Sequence, residues 1–209
     1  MPSYGPNPCT TVTQIGVGNA WNNPNNIKLN DGNSADCEPW QLVYGPGPVI
    51  IGKDPYQSQT LHTVGYGFTV PTYYAISRVK VSVWRYETSP RYPGTSVKDL
   101  QIQLVVAGVA SGTNKAATSV TWDNSVTQYD YDYDLTVAGW NLALTPDAVN
   151  AATFGVDVAC QGAGPQIPYP FVGLPAPIGY IDYVAITVEA VPGWYQSFMV
   201  IPPYAIKPE

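Results

Sequence analysis

The clearest pattern of apolar and polar positions in the chain lies at residues 75–87. Three valines alternate there with polar or aromatic residues, namely Val79, Val81 and Val83 against Arg78, Lys80, Ser82 and Trp84. Because successive side chains of a strand point to opposite faces, this pattern predicts a strand with one face turned to a hydrophobic core.

A second long pattern, at residues 180–191, has apolar residues on both faces of the predicted strand. Ile181, Tyr183, Ala185 and Thr187 fall on one face, and Asp182, Val184, Ile186 and Val188 fall on the other. A strand that is apolar on both faces is typical of the middle of a sheet. Two such strands, separated by turn-rich chain, predict an all-β, antiparallel β-sandwich.

Shorter patterns predict the remaining elements. Further strands are expected at residues 10–15, 49–51, 60–70, 99–107, 118–122, 129–134 and 153–159. One short helix is predicted at 145–150, because Thr145 is a good N-cap and Pro146 fits the first helical position. The Asn-rich stretch 19–26 is predicted to be irregular, with Trp21 anchoring it at the end of the sandwich.

Apart from the strand at 10–15, the strands fall within one predicted domain at residues 16–191. An N-terminal arm is predicted at 1–15 and a C-terminal arm at 192–209. The C-terminal arm has too many prolines for a strand and too many apolar residues for a free tail. We expect it to dock on a neighbouring subunit or on its own domain. Its candidate contact residues are Trp194, Tyr195, Phe198 and Tyr204.

The composition indicates a surface that is poorly protected against association. Charged residues make up 11 % of the 209 residues, against a usual value of about 25 %, while tyrosine is abundant. A net charge of −6 with nine basic residues argues against nucleic acid as a partner. No apolar stretch approaches the ~18 residues of a membrane span, and the first residues do not resemble a secretory signal.

The most conspicuous candidate for chemistry is the Tyr-Asp repeat at residues 129–134. On a strand it places three tyrosines on one face and Asp130, Asp132 and Asp134 on the other. One or two of these carboxylates could help to bind Ca²⁺. The alternative, which we favour, is a solvated acidic face or an edge strand charged against aggregation.

Other catalytic and metal-binding arrangements find little support in the sequence. His62 is the only histidine, and Cys9, Cys37 and Cys160 lack the paired spacing of a zinc site, so free thiols are expected. No nucleophile turn accompanies His62, and any carboxylate pair for glycoside cleavage would be defined in space rather than in sequence. We expect no cofactor and no enzymatic activity.

Aromatic residues offer a different kind of site. Trp84, Trp140, Tyr73 and Tyr74 could stack on sugar rings, or they could fill interfaces between sheets or subunits. The second reading is favoured because tyrosine and tryptophan are enriched at interfaces in general.

Several motifs occur in a consistent order between about residues 17 and 190. They are Ala20-Trp21-x-Asn-Pro24 with Asp31-Gly32 and Ala35, then Gly67-Phe68-x-Val70-Pro71 with Ile76-x-x-Val79-x-Val81, then Leu144-Thr145-Pro146-x-x-Val149-Asn150 with Phe154-Gly155-Val156-x-Val158, and finally Tyr180-Ile181-Asp182-Tyr183-Val184-x-Ile186-x-Val188. Together they resemble β-sandwich structural proteins of tailed bacteriophage virions. The proline-rich stretches 39–58 and 162–178 and the C-terminal arm depart from that pattern.

The resemblance implies a jelly-roll-like sandwich in a virion protein that is made in the host cytoplasm and carries no catalytic residues. We therefore expect a multi-copy capsid decoration or head-associated protein. Its partners would be other capsid or tail subunits, including copies of itself. The alternative is a tail or fibre adhesin module that binds a host-surface glycan, and an enzyme ranks last.

Overall fold

The computed structural model describes residues 1–39, 42–44, 50–52, 57–88, 95–124, 129–164 and 177–193, with the backbone alone at 42–44, 50–52 and 129–130. Its strands are β1 (Ser3–Pro8), β2 (Thr11–Ile15), β3 (Ala35–Cys37), β4 (Leu42–Tyr44), β5 (Ile50–Gly52), β6 (Thr60–Val64), β7 (Tyr74–Glu87), β8 (Ser96–Val106), β9 (Val109–Ala110), β10 (Tyr129–Thr136), β11 (Gly155–Ala163) and β12 (Gly179–Pro192). A 3-10 helix spans Pro24–Lys28, and the helix α1 spans Pro146–Asn150.

The strands form two five-stranded sheets and one separate hairpin. The first sheet has the order β1-β12-β7-β10, and β3 lies end to end with β1 along the same edge of β12. The second sheet has the order β2-β6-β11-β8-β9, and β4 pairs with β5. Every strand pair in the two sheets is antiparallel, which confirms the predicted all-β sandwich fold.

From β3 onward the chain passes repeatedly from one sheet to the other. β3, β7, β10 and β12 belong to the first sheet, whereas β6, β8, β9 and β11 belong to the second. Because consecutive strands mostly lie in different sheets, residues far apart in sequence meet in a shared core.

The hydrophobic core lies between the two sheets. The valine face of β7, formed by Val79, Val81 and Val83, is completely buried and belongs to the same cluster as Leu104 of β8 and Val156 of β11. Burying a side chain of this size contributes roughly 1.5–3 kcal/mol, so each of the three valines stabilises the core. The prediction of a central position for β12 is also confirmed, since β12 pairs with β7 on one side and with β1 and β3 on the other.

The predicted faces of β12 are wrong at its beginning. A bulge places Asp182 between the pairs Ile181–Arg85 and Tyr183–Trp84, so one extra residue is inserted into β12. Ile181 therefore points into the core, on the same side as Val184, whereas Tyr183 is only half-buried.

Two further strand predictions are corrected. The strand predicted at 60–70 ends at Val64, because Gly65 has a φ of +80°, a left-handed conformation that breaks the extended chain. Residues 118–122 do not form a regular strand. The Val120 N–H donates to the Ala117 carbonyl in a turn, and Thr121 makes an isolated antiparallel bridge with Lys98.

The ends of the domain also differ from the prediction. Instead of an arm, β1 pairs with β12 in the first sheet, and β2 pairs with β6 in the second. At the other end β12 continues to Pro192, and the Gly193 N–H donates to the Tyr73 carbonyl. Residues 194–209, which carry all four candidate contact residues of the C-terminal arm, lie outside the described residues.

The predicted anchor and the predicted helix are both present. Trp21 is buried, and its indole N–H donates to the Gln59 carbonyl at 2.8 Å, although the surrounding stretch contains the 3-10 helix that the sequence did not predict. Thr145 caps α1 by accepting from the Ala148 N–H. Asn150 at the end of α1 then binds both backbone groups of Val70 at 2.8 Å, which fixes the helix to the chain ahead of β7.

Candidate functional site

Four aromatic side chains form a two-by-two array on the outer face of the first sheet. We call Trp84 and Tyr86 of β7 together with Tyr180 and Tyr183 of β12 the aromatic array. Trp84 stacks on Tyr183 with ring centroids 4.6 Å apart, and Tyr86 stacks on Tyr180 at 4.8 Å with an interplanar angle of 5°. All four residues are partly exposed, so the array is a surface feature.

The bulge in β12 is the reason that the array exists. Tyr180 and Tyr183 are three residues apart and would point to opposite faces of a regular strand. The extra residue, Asp182, restores the outward direction, so Tyr183 lies opposite Trp84 and Tyr180 lies opposite Tyr86.

The rings of the array cover one another. Their centroid separations match the distance between neighbouring strands, so each pair stands upright and face to face on the sheet. Rings lying flat and side by side would be farther apart because their edges would collide. The facing sides of the rings are therefore already in contact with each other, and only the remaining parts of these partly exposed side chains can meet solvent.

A row of ion pairs lies beside the array on the same face of the sheet. The Lys80 Nζ is 2.8 Å from the Asp132 carboxylate, and the Arg78 Nη1 is 3.0 Å from the Asp134 carboxylate. Asp132 also accepts a hydrogen bond from the Ser82 hydroxyl at 2.5 Å. Asp132 and Asp134 of β10 are thus neutralised by basic residues of β7.

The predicted division of the Tyr-Asp repeat into two faces is confirmed where side chains are described. Asp132 and Asp134 are exposed, whereas Tyr133 is buried in the core. β10 is an edge strand of the first sheet, as the favoured alternative supposed. The side chain of Asp130 is outside the described part, and among the described residues no group of three or more His, Cys, Asp or Glu side chains could hold a metal ion. Calcium binding, the alternative that we do not favour, would require Asp132 and Asp134 to leave their ion pairs.

A second polar cluster is buried between the sheets. Arg85 of β7 contacts the carboxylate of Asp99 of β8, and both side chains are almost completely buried. Two further side chains donate hydrogen bonds to Asp99, namely the Trp122 indole N–H at 2.9 Å and the Tyr133 hydroxyl. The Ala117 N–H donates to the same carboxylate at 2.9 Å.

Aromatic rings complete the surroundings of Arg85. Its guanidinium carbon lies 4.3 Å from the Tyr131 ring centroid and 5.3 Å from that of Trp122, within the range of cation–π attraction. Burial lowers the pKa of Arg85, but arginine stays charged in proteins. This cluster joins β7, β8 and β10, and its enclosed position makes it a structural device rather than a substrate site.

Sequence reasoning missed this cluster, although one signal for it was present. Arg85 has the same odd-numbered parity as Val79, Val81 and Val83, so the alternation already placed it on the core face. Nothing in the sequence identifies Asp99 as its partner.

A polar cavity of about 340 Å³ opens close to the buried cluster. Its lining residues are Glu87, Thr121, Trp122, Asp123 and Asn124. Burial raises the pKa of Glu87 to about 7, partly offset by a hydrogen bond that its carboxylate accepts from the Val97 N–H. A carboxyl group that titrates near neutrality can exchange protons with solvent, but proton exchange alone does not define a reaction.

The single histidine pairs with an acidic residue across the second sheet. The His62 Nδ1 lies 2.7 Å from a carboxylate oxygen of Asp157, and these residues face each other on β6 and β11. Burial raises the pKa of Asp157, and the hydrogen bond with His62 opposes that shift. The pair satisfies a buried carboxylate and ties two strands together.

The four aromatic residues proposed for sugar stacking are not brought together. Trp140 is completely buried and donates its indole N–H to the Val79 carbonyl at 3.0 Å, so its expected exposure is wrong. Tyr73 is exposed in the turn that precedes β7, and its ring centroid lies 4.9 Å from that of Tyr74, the first residue of β7. Only Trp84 belongs to the aromatic array, and its partners there were not predicted.

A scan against protein-family models, a search of curated proteins and a search of solved structures each found no match. Within the described ranges, no helix has the length and apolar character needed to cross a bilayer.

Proposed function

We propose that this chain is a non-enzymatic structural protein of a tailed-phage virion, present in many copies as a capsid decoration or head-associated protein. The observation that carries the proposal is the order of strands in the two sheets. The ordered motifs that resemble phage sandwich proteins support the same reading.

The strand order supports a jelly-roll interpretation of the sandwich. Strands β3, β12, β7 and β10 are neighbours in that order in one sheet, and β6, β11, β8 and β9 are neighbours in the other. Eight strands divided in this way between two sheets match two interlocked Greek keys, an arrangement used by viral capsid proteins and by lectins. Because a fold does not determine a function, this is support by analogy.

The surface chemistry favours assembly over an isolated existence. Only 11 % of all residues are charged. Charged side chains on the outer face of the first sheet form ion pairs with each other, such as Arg78–Asp134. A sparsely charged surface that carries aromatic residues gains free energy when another subunit covers it, at roughly 25 cal/mol per Å² of buried apolar surface. Trp194, Tyr195, Phe198 and Tyr204 of the C-terminal arm are the proposed contacts with neighbouring subunits.

The composition of purified particles tests the proposal. Phage particles from the source of the sequence are purified by density centrifugation, washed with high salt and analysed by quantitative mass spectrometry. We expect the chain at many copies per particle, in a fixed ratio to the major capsid protein. Its absence from infectious particles, or a loss on washing that leaves them intact, would contradict the assignment.

The aromatic array gives the glycan-binding alternative its one specific support. Partly exposed Trp84 and Tyr183 could contact a sugar through their ring edges and hydroxyl groups. Sugar rings usually stack on an open aromatic face, however, and the facing surfaces of both pairs are occupied. A glycan array with the purified protein separates the two functions: micromolar binding that Trp84→Ala abolishes would favour the adhesin.

A further inference from the structure

Two of the three cysteines lie together in the core, although they are far apart in sequence. Cys37 is the last residue of β3 in the first sheet, and Cys160 belongs to β11 in the second sheet. Both side chains are buried, and all three cysteines are free thiols in this structure. Cys9 has different neighbours, with Tyr66 and Lys28 beside it.

Backbone contacts hold the two thiols in place. The Cys37 S–H donates to the Asn19 carbonyl at 3.5 Å, and Asn19 forms a β-bridge with Ser58. Ser58 in turn binds Cys160 twice, because its N–H donates to the Cys160 carbonyl at 2.9 Å and its hydroxyl accepts from the Cys160 N–H at 3.0 Å. Burial and the neighbouring Cys37 thiol both raise the pKa of Cys160, as expected for two side chains that lie close together.

We propose that Cys37 and Cys160 are a disulfide-forming pair, which joins the two sheets covalently when the protein meets a small-molecule disulfide as oxidant. The pair is a modification site, and it is independent of the function proposed above.

The reaction is a two-step thiol–disulfide exchange. The thiolate of one cysteine attacks a sulfur atom of oxidised glutathione, which forms a mixed disulfide and releases one glutathione thiolate. The second cysteine, as its thiolate, attacks the protein sulfur of that mixed disulfide and releases the other glutathione. The two protons lost by the cysteines are taken up by the two glutathione thiolates, so one oxidised glutathione yields one protein disulfide and two reduced glutathiones.

Access to the pair depends on the opening of a short edge strand. β3 has three residues and pairs with β12 through the partners Cys37–Gly179, Asp36–Tyr180 and Ala35–Ile181. On its other side a single isolated bridge joins Asp36 to Asn22. Short edge elements open locally at a lower free energy than a whole domain. Burial raises the pKa of Cys160 well above its ordinary value, so little thiolate forms while the core is closed. Oxidation is therefore slow in the closed protein and accelerates when β3 opens.

The experiment oxidises the full chain with oxidised glutathione at a urea concentration just below the unfolding transition, followed by removal of urea. Peptide mapping without reductant identifies the bridged cysteines, and thermal melts compare the oxidised and reduced proteins. Cys9→Ser serves as the matched control, and Cys37→Ser and Cys160→Ser each remove one partner. Circular dichroism confirms that each variant is folded.

We expect one peptide that links Cys37 with Cys160 in both the wild type and Cys9→Ser, and no internal bridge in the other two variants. Because a cross-link between distant residues restricts the unfolded chain strongly, the melting temperature should rise by roughly 10 °C on oxidation. A bridge that contains Cys9, a wild type that remains unbridged, or a bridged protein with an unchanged or lower melting temperature would each overturn the proposal.

Discussion

Arg85 places a positive charge inside the sandwich, where a carboxylate and three aromatic rings surround it. An isolated buried charge is costly, so the arrangement is stable only because Asp99 neutralises it. Asp99 is satisfied in turn by donors from Trp122, Tyr133 and Ala117. Each member of this cluster therefore depends on the others.

Replacing Asp99 should consequently be among the most damaging single substitutions in the described chain. Asp99→Asn leaves the Arg85 charge buried without its counter-charge, and we expect a loss of about 3–5 kcal/mol in the free energy of unfolding. Urea denaturation at pH 7 measures this loss. Asp134→Asn, which removes an exposed partner of Arg78, is the control and should stay close to wild type. If the two substitutions lowered the free energy of unfolding equally, the buried Arg85–Asp99 pair would stabilise the protein no more than an exposed ion pair does.

Glu87 makes stability depend on pH in the acidic range. Its pKa is raised from the ordinary 4.5 to about 7, so the folded protein retains a proton that the unfolded chain releases between those values. The stabilisation from this proton is complete below pH 4.5 and is lost as the pH rises towards 7. Because Glu87 lines an open polar cavity, solvent screening reduces the effect, and we expect a change of roughly 1–2 kcal/mol, less than the full shift would give.

The substitution Glu87→Gln isolates this contribution. Glutamine keeps an oxygen that can accept from the Val97 N–H but has no proton to lose, so the variant should lack this part of the decline in stability between pH 4.5 and 7. Urea denaturation of the wild type and the variant across that range provides the comparison. Identical pH profiles would refute the assignment to Glu87.

Among the elements, β7 and α1 were predictable because their signals are local. The alternation around Val81 and the capping pattern from Thr145 to Asp147 can each be read within a few residues. The bulge at Asp182 could not be predicted from the sequence, since one extra residue leaves no mark in the composition of the strand. The same holds for residues 118–122, where only a single bridge forms: Thr121 lies opposite Lys98, and the Trp122 N–H donates to the Val97 carbonyl. Contacts with distant chain overrode the local propensity there.

The stacked pairs of the aromatic array should stabilise the pairing of β7 with β12. A double-mutant cycle with Trp84→Leu, Tyr183→Leu and the combined variant measures this interaction, and we expect a coupling energy of about 0.5–1.5 kcal/mol. The tilted pair Tyr73–Tyr74, with Tyr73 exposed in a turn, is the matched control and should give a smaller coupling. Strictly additive effects at Trp84 and Tyr183 would mean that the stacking is incidental.

At the scale of the whole molecule, the sequence predicted the fold class but not the pairing of strands. Hydrophobic periodicity shows that strands exist, whereas the choice of neighbours is made by contacts such as those between β3 and β12, which are distant in the chain. The same limit explains the incorrect N-terminal arm, because β1 and β2 complete two different sheets. The aromatic array was likewise invisible in the sequence, since it requires both the register of β7 on β12 and the bulge.

We propose that this sparsely charged sandwich associates with further subunits through its aromatic C-terminal arm. Sedimentation velocity of the full chain over a wide concentration range, beside a chain that ends at Gly193, tests this association. We expect the full chain to form discrete oligomers and the shortened chain, folded by circular dichroism, to sediment as a monomer. A full chain that sediments as a monomer at every concentration, or a shortened chain that assembles equally well, would contradict it.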